Sequence, residues 1–378
     1  MKLQTVTCYA VEIPAKDGSY VMSRDRVLRS FPSTVVRVTA EDGTSGFAEA
    51  CSLGGNYFDG FPGSIQATIR ELAPFVLQCD PLEPNVLTDG MDALIIGHLP
   101  GKAAIDTAMW DLRGKLLGLP VARLLGGTKQ ESFGAFQAIS LGPPATMAAE
   151  VSRMADLGFR RWQLKLGDDP LVAAQRVHAA ASVLPAGSDL LTSDANQGWT
   201  AADTLRFVQA VAGVDTYLEQ PCRTTAELAR VRARCALPIM MDEGATDLAD
   251  ILDALALDSV DALNLKPTRV GGLTKAARIR DLAQASGLKI LLDEPQGADL
   301  ATAALAQLAA TIDPGHFLGT GCFIGPHMPF SYQKAGSSGP GPQFDDGTLQ
   351  PGNAPGLGVD VDEDVLGPPL FQLAADCT

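Results

Sequence analysis

Five residues in the middle of the chain have types and spacing suited to one kind of chemistry: Lys165, Asp194, Glu219, Asp242 and Lys266. Each stands at the end of a short apolar run, and the acids follow one another by 25 and 23 residues, one strand-and-helix unit per step. On adjacent parallel strands the three carboxylates would converge and repel one another unless a cation sat among them. No His adjoins them and Cys222 lies past its strand end, so an oxygen-binding ion, Mg2+ first and Mn2+ second, is preferred to zinc. The lysines flank the acids, one strand before and one after. A substrate carboxylate on the metal would then present its α-carbon between two amines. That layout suits abstraction of the proton α to a carboxylate, with one lysine as base and the metal stabilising the enediolate. The base would need its pKa lowered by burial or by neighbouring positive charge. Taken singly, each acid reads more readily as a helix N-cap or a surface group; the shared period over three successive runs singles them out. Within Asp242-Glu243, Asp242 ends its run and is the expected ligand, with Glu243 behind it.

Such a set must be held by strands that end together. Short apolar runs at 133–138, 161–166, 190–194, 217–219, 239–242, 262–266, 289–292 and 317–319 read as eight strands. Amphipathic helical stretches separate them, for example 144–157, 170–183, 201–211, 224–235 and 273–285. The alternation predicts an α/β fold, a (β/α)8-type TIM barrel whose chemistry sits at the C-terminal strand ends. An open doubly wound sheet is second, because no Gly-rich dinucleotide turn follows the first strand. Before the barrel, alternating runs at 3–11, 35–38 and 45–51 precede helical patterns at 64–76, 85–94 and 103–117, which predicts an α+β domain. The tail, 326–378, is rich in Gly and Pro and reads as an ordered wrap.

The composition excludes other classes. With 378 residues, 46% of them hydrophobic and 19% charged, the chain can bury a large core. Its net charge of −15 argues against nucleic acid and anionic membranes as partners. Seven scattered cysteines without a Cys-x-x-Cys pair predict reduced thiols. No basic-then-apolar leader opens the chain and no apolar run reaches membrane-spanning length, so a cytoplasmic location is expected. The remaining candidates read blandly. His98, His178, His316 and His327 are scattered away from the acids, Arg269-Val-Gly-Gly272 is a simple turn, the three Trp are packing residues and Cys222 is a small buried side chain.

The segments AIDTAMWDLRGKLLGLPVARLLGG (104–127), QLKLG (163–167), SDANQGW (193–199), LEQP (218–221), MDE (241–243) and NLKPTRVGGLTKA (264–276) resemble the enolase superfamily, and within it the muconate-lactonising-enzyme subgroup. The resemblance spans nearly the whole chain. It implies an enolase-like barrel (129–325) with an N-terminal capping domain (1–128) completed by the C-terminal segment (326–378). It further implies Mg2+ on Asp194, Glu219 and Asp242, Lys165 and Lys266 as acid/base groups, and a homo-oligomer. One departure stands out: the subgroup has Lys-x-Lys on the second barrel strand, and here the first lysine is Gln163. That Gln-x-Lys pattern, with KDGSYVMS (16–23) and LKPTRVGGL (265–273), resembles the branch acting on hydroxyproline and proline betaines.

Two activities are implied there: dehydration of cis-3-hydroxy-L-proline to Δ1-pyrroline-2-carboxylate, and 2-epimerisation of proline betaine, 4-hydroxyproline betaine or a related cyclic amino acid. Lysines on opposite faces suit both. The substrate nitrogen discriminates, since a quaternary betaine favours an aromatic cage and a secondary ammonium favours carboxylates. Where betaine epimerases of the branch carry a Trp, this chain reads Asp293-Glu294-Pro295-Gln296, which favours the unmethylated amino acid. Tyr20 and Tyr57 on cap loops, with Asn196, Asp293, Glu294 and Gln296, are the expected substrate contacts. The expectation is thus a dehydratase of a small carboxylate-bearing cyclic amino acid, with an epimerase second. A catalytically inactive barrel kept for binding is the alternative of another class.

Overall fold

Alternating apolar residues near the start of the chain form three antiparallel strands, Leu3–Pro14, Ser30–Ala40 and Ser45–Cys51. They are seen in a computed structural model that describes all residues except 23–25, 56, 58–59, 168, 326–327, 335–340 and 376–378, so His327, Cys377 and part of the Gly/Pro-rich tail lie outside the described residues. A fourth strand, Phe371–Ala374, pairs antiparallel with Leu3–Pro14. The tail thereby covers an edge that would otherwise be open to strand addition. Both faces of this cap sheet are buried. Val36, Val38, Ala48 and Ala50 share a core with Ile69 and Leu72 of the helix Pro62–Val76, whereas Val35 and Phe47 turn to the barrel side.

The helix Leu99–Leu117 is the keel between cap and barrel, buried from Pro100 through Gly114, and its polar residues therefore need partners. Lys102 pairs with Asp92 at 2.8 Å, and Arg113 Nε donates to the Pro81 carbonyl at 2.7 Å. Asp111 accepts the backbone N–H groups of Phe47 at 2.8 Å and Leu357 at 2.7 Å. Asp106 accepts the N–H of Thr274 at 2.9 Å and its hydroxyl at 2.6 Å. Thr274 lies in the first turn of the barrel helix Leu273–Ala285, so Asp106 supplies across the domain boundary what an N-cap supplies locally. The preceding Gly272 has φ +115°, and a Cβ there would stand 2.4 Å from Asp106 Oδ2, so this approach requires glycine.

Eight parallel strands form the barrel: Phe136–Ile139, Arg161–Lys165, Leu190–Asp194, Tyr217–Glu219, Ile239–Met241, Ala262–Leu265, Lys289–Leu292 and Phe317–Thr320. Each pairs with the next in chain order, and a bridge between Ala135 and Thr320 closes the first against the eighth. The first predicted run is divided. Phe133–Gly134 pairs with Thr348–Gln350 of the tail, and only Phe136–Ile139 enters the barrel. The helix predicted over 224–235 is Thr225–Arg232, and two further helices, Leu248–Ala256 and Asp299–Ala309, follow the fifth and seventh strands. The tail leaves the eighth strand and returns to the cap. No helix among the described residues is long and apolar enough to cross a membrane.

The buried link at Asp106 is testable. Asp106→Ala strands two donors of Thr274 and should cost about 1–3 kcal/mol of stability, read as a lower urea midpoint. Asp106→Asn, which keeps one acceptor oxygen, should recover part of the loss; an unshifted midpoint for Asp106→Ala would contradict the link.

Candidate active site

Register places the acids and the first lysine side by side. Lys165 pairs with Asp194 and Asp194 with Glu219, each the last residue of its strand. Asp242 follows Ile239–Met241 directly, and Lys266 follows Ala262–Leu265. Carboxylate oxygens of Asp194, Glu219 and Asp242 lie within 4.8 Å of one another, and all three residues are fully buried. Lys165 Nζ donates to Asp194 Oδ2 at 2.5 Å and Lys266 Nζ to Asp242 Oδ1 at 2.5 Å. The amines therefore flank the trio from opposite sides. Burial lowers both lysines, but the acids outweigh it, Asp194 foremost at Lys165 and Asp242 foremost at Lys266, so both are raised, the opposite of the lowering expected for a base; positive charge bound among the acids would weaken that pull.

The trio fits a hard divalent cation. Its donors are oxygen only, and Glu219 is pushed well above the usual carboxylate range, first by burial and then by the charges of Asp194 and Asp242. Two buried acceptor atoms beside it, Asn196 Oδ1 and Glu243 Oε2, have no hydrogen-bond donor. Such an arrangement of acids is relieved by positive charge rather than by further desolvation.

Groups to which sequence reasoning gave no role at the acids hold the trio in place. Gln163 Nε2 donates to both oxygens of Glu219 at 3.0 and 2.9 Å, and Asn264 Nδ2 donates to its Oε1 at 2.7 Å. Each stands two residues before a lysine at the end of the same strand, and period-two alternation points both inward. Gln163 thus brings hydrogen bonds to Glu219 without a third ammonium. Arg269 departs from the expected simple turn. Gly271 does adopt the left-handed conformation, but the short helix Pro267–Val270 turns the Arg269 guanidinium inward, where it donates to Asp242 Oδ1 and, at 3.0 Å, to the Asp242 carbonyl. Although burial alone would raise Asp242, Arg269 and Lys266 hold it well below the usual range.

A cavity of about 480 Å³ opens beside Lys165. Tyr20, Tyr57, Asp293, Glu294 and Gln296 share its wall with Lys165, so five of the six expected contacts are brought together. Asn196 stands apart from that wall. With φ +47° it folds back on the strand end, and its amide donates to Asp194 Oδ2 and Glu243 Oε1, both at 3.0 Å, outside the cavity wall. Its amide thus faces the acids. The Tyr57 hydroxyl lies 3.4 Å from Asp242 Oδ2, Asp293 Oδ2 lies 3.5 Å from Lys266 Nζ, and Glu294 accepts the N–H of Thr268 at 3.0 Å. Lys266 is 2% exposed and reaches the region through Asp293. Elsewhere, His178 and His316 bond to backbone carbonyls, and the thiol of buried Cys222 contacts the Thr204 hydroxyl.

Comparison with known proteins agrees with this geometry. Residues 5–126 match the mandelate racemase / muconate lactonizing enzyme N-terminal domain, and residues 146–365 match the enolase C-terminal domain-like family. Cis-3-hydroxy-L-proline dehydratase of Roseibium aggregatum is 37% identical over 98% of this chain and 100% of its own. N-succinyl-L-Arg/Lys racemase of Bacillus cereus is 27% identical over 76% of this chain and 79% of its own. A crystal structure from Roseovarius nubinhibens, described as a mandelate racemase/muconate lactonizing enzyme complexed with magnesium, superposes with a TM-score of 0.91. It is 28% identical, over 99% of this chain and 100% of that one.

Glu294 offers a pH test clear of the acid trio. Burial pushes its carboxyl from the ordinary 4.5 up to about 8, against the opposing pull of Thr268. The folded chain therefore keeps a proton that the unfolded chain releases, and the stability it contributes is full below pH 4.5 and lost as pH rises towards 8. Glu294→Gln keeps the acceptor and cannot ionise. The stability of the wild type relative to this variant should fall between pH about 5 and 8; parallel profiles would contradict the assignment.

Proposed function

This chain belongs to the mandelate racemase / muconate lactonizing enzyme family of the enolase superfamily, and from that premise we propose that it is a Mg2+-dependent dehydratase of cis-3-hydroxy-L-proline. The observation that carries the reading is the pair of lysines on opposite sides of a buried acid trio. In this substrate the hydroxyl shares a ring face with the carboxylate, so the α-hydrogen lies on the other face and elimination is anti. One lysine amine accepts the α-proton while the opposite ammonium donates to the departing hydroxyl. Water leaves, and the enamine tautomerises to Δ1-pyrroline-2-carboxylate. Asp194, Glu219 and Asp242 would hold the Mg2+, whose positive charge would stabilise the substrate carboxylate.

The chain's own residues prepare this step. Arg269 and the amides of Gln163 and Asn264 keep Asp242 and Glu219 oriented when a lysine changes its bonding. Asp293, in the cavity wall and close to Lys266, is placed to accept from a secondary ammonium. Tyr20 and Tyr57 bring the cap over the ring and exclude water. Epimerisation of proline betaine, 4-hydroxyproline betaine or a related cyclic amino acid is the second reading. The same two-faced lysine pair favours it, and the Bacillus cereus relative is a racemase.

Incubation of purified protein with Mg2+ and cis-3-hydroxy-L-proline in D2O should yield the imine with loss of water; α-deuteration with the hydroxyl retained would sink dehydration in favour of epimerisation. Lys165→Ala and Lys266→Ala should each lower turnover by at least about 10³-fold, the scale of one placed proton-transfer group, and leave Mg2+ binding by calorimetry nearly intact. Full activity in either variant would refute its role.

A further inference from the structure

Glu49 stands on the cap strand Ser45–Cys51, is buried, and lies outside the cavity wall. Its carboxylate nevertheless crosses to the barrel. Oε1 accepts the N–H of Ala298 at 2.7 Å and of Ala301 at 2.8 Å, while Oε2 accepts the Ser33 hydroxyl at 3.1 Å. These are backbone donors at the start of Asp299–Ala309, where a helix has no partners of its own for them. Between that helix and the seventh barrel strand run only six residues, Asp293 to Ala298, and the first four line the cavity.

Both ends of this segment are pinned. At its start, Glu294 accepts from Thr268, two residues past Lys266, and Asp293 approaches Lys266 itself. At its end, Gly297 packs so tightly that a Cβ would stand 2.4 Å from Ala301 Cβ and 3.0 Å from Glu49 Oε1. The barrel thus holds one end and the cap holds the other, through a single carboxylate 249 residues away in sequence from Ala298.

We propose that Glu49 is a positioning residue that sets the substrate-facing segment Asp293 to Gln296 from the cap side. Its kinetic consequence rests on the function proposed above; its structural consequence does not. Burial pushes the Glu49 carboxyl up to about 7, with Ser33 and the Tyr332 hydroxyl facing it and Cys51 on its own strand, so a neutral acceptor can serve in its place. Gln is therefore the conservative replacement and Ala the disruptive one.

The test compares Glu49→Ala and Glu49→Gln in the full-length protein with Mg2+. Glu49→Ala should raise KM for cis-3-hydroxy-L-proline about tenfold with kcat changed much less, as loss of two hydrogen bonds to a substrate-facing segment implies. Glu49→Gln should return KM to within about twofold of wild type. Hydrogen exchange of the peptide 293–301 should quicken in the Ala variant alone, with Mg2+ affinity unchanged. An unchanged KM, an equally impaired Gln variant, or unaltered exchange would each overturn the proposal. If the wild type turns over no hydroxyproline, the functional reading fails, and the exchange comparison still decides the role of Glu49. Should Glu49→Ala not fold, Gly297→Ala displaces the segment while leaving the carboxylate in place, and should raise KM and exchange in the same way; wild-type values there would overturn the role.

Discussion

Three buried carboxylates within 4.8 Å of one another are the constraint that the rest of the barrel mouth answers to. Like charges at that separation, stripped of water, are costly unless cations and donors surround them. The chain meets the requirement with Lys165, Lys266 and Arg269 as charges and Gln163 and Asn264 as neutral donors. The division of labour follows from chemistry. Arg269 offers several donors in a fixed fork and stays on Asp242, whereas a lysine is a single point of charge that can leave its partner and carry a proton. In the proposed reaction, the acids are held by groups that do not react while the lysines on the flanks move protons.

The cap is joined to the barrel by the same physics with the opposite sign. Barrel helices beginning at Leu273 and Asp299 present unpaired backbone N–H groups to the cap, and the cap answers with Asp106 and Glu49. A helix start carries partial positive charge, so a buried carboxyl or carboxylate there is satisfied without a cationic side chain. These contacts need close backbone approach, which is why glycine stands at 272, where a Cβ would collide with Asp106. Placing the cap accurately matters because Tyr20 and Tyr57 line the cavity from the cap side.

Environment sorts otherwise identical carboxyl groups into separate roles. Asp242 is held anionic by Arg269 and Lys266, while burial pushes Glu294 up to about 8 and Glu49 up to about 7. The first is suited to holding a cation; the other two are suited to accepting backbone N–H groups whether or not they carry a charge. Gln163 belongs to the same logic, since an amide in place of an ammonium supports Glu219 without adding positive charge between the acids and Lys165.

Residue types and their period along the chain are local properties, and they sufficed to read the eight strands, the barrel and the convergence of Lys165, Asp194, Glu219, Asp242 and Lys266, because a parallel barrel turns equal spacing into adjacency at one end. Gln163 and Asn264 were legible by the same alternation. Arg269 was not, since its inward direction depends on how Pro267–Val270 bends over the sixth strand. Nor was Asn196, whose left-handed backbone sends its amide back to the acids. The helix Asp299–Ala309 is buried along its whole length, so no polar face marks its period. Glu49 meets Ala298 only once cap and barrel have docked. Repeating local pattern thus determined which groups could act together, and tertiary packing decided where each side chain points, because direction and burial are set by partners hundreds of residues away.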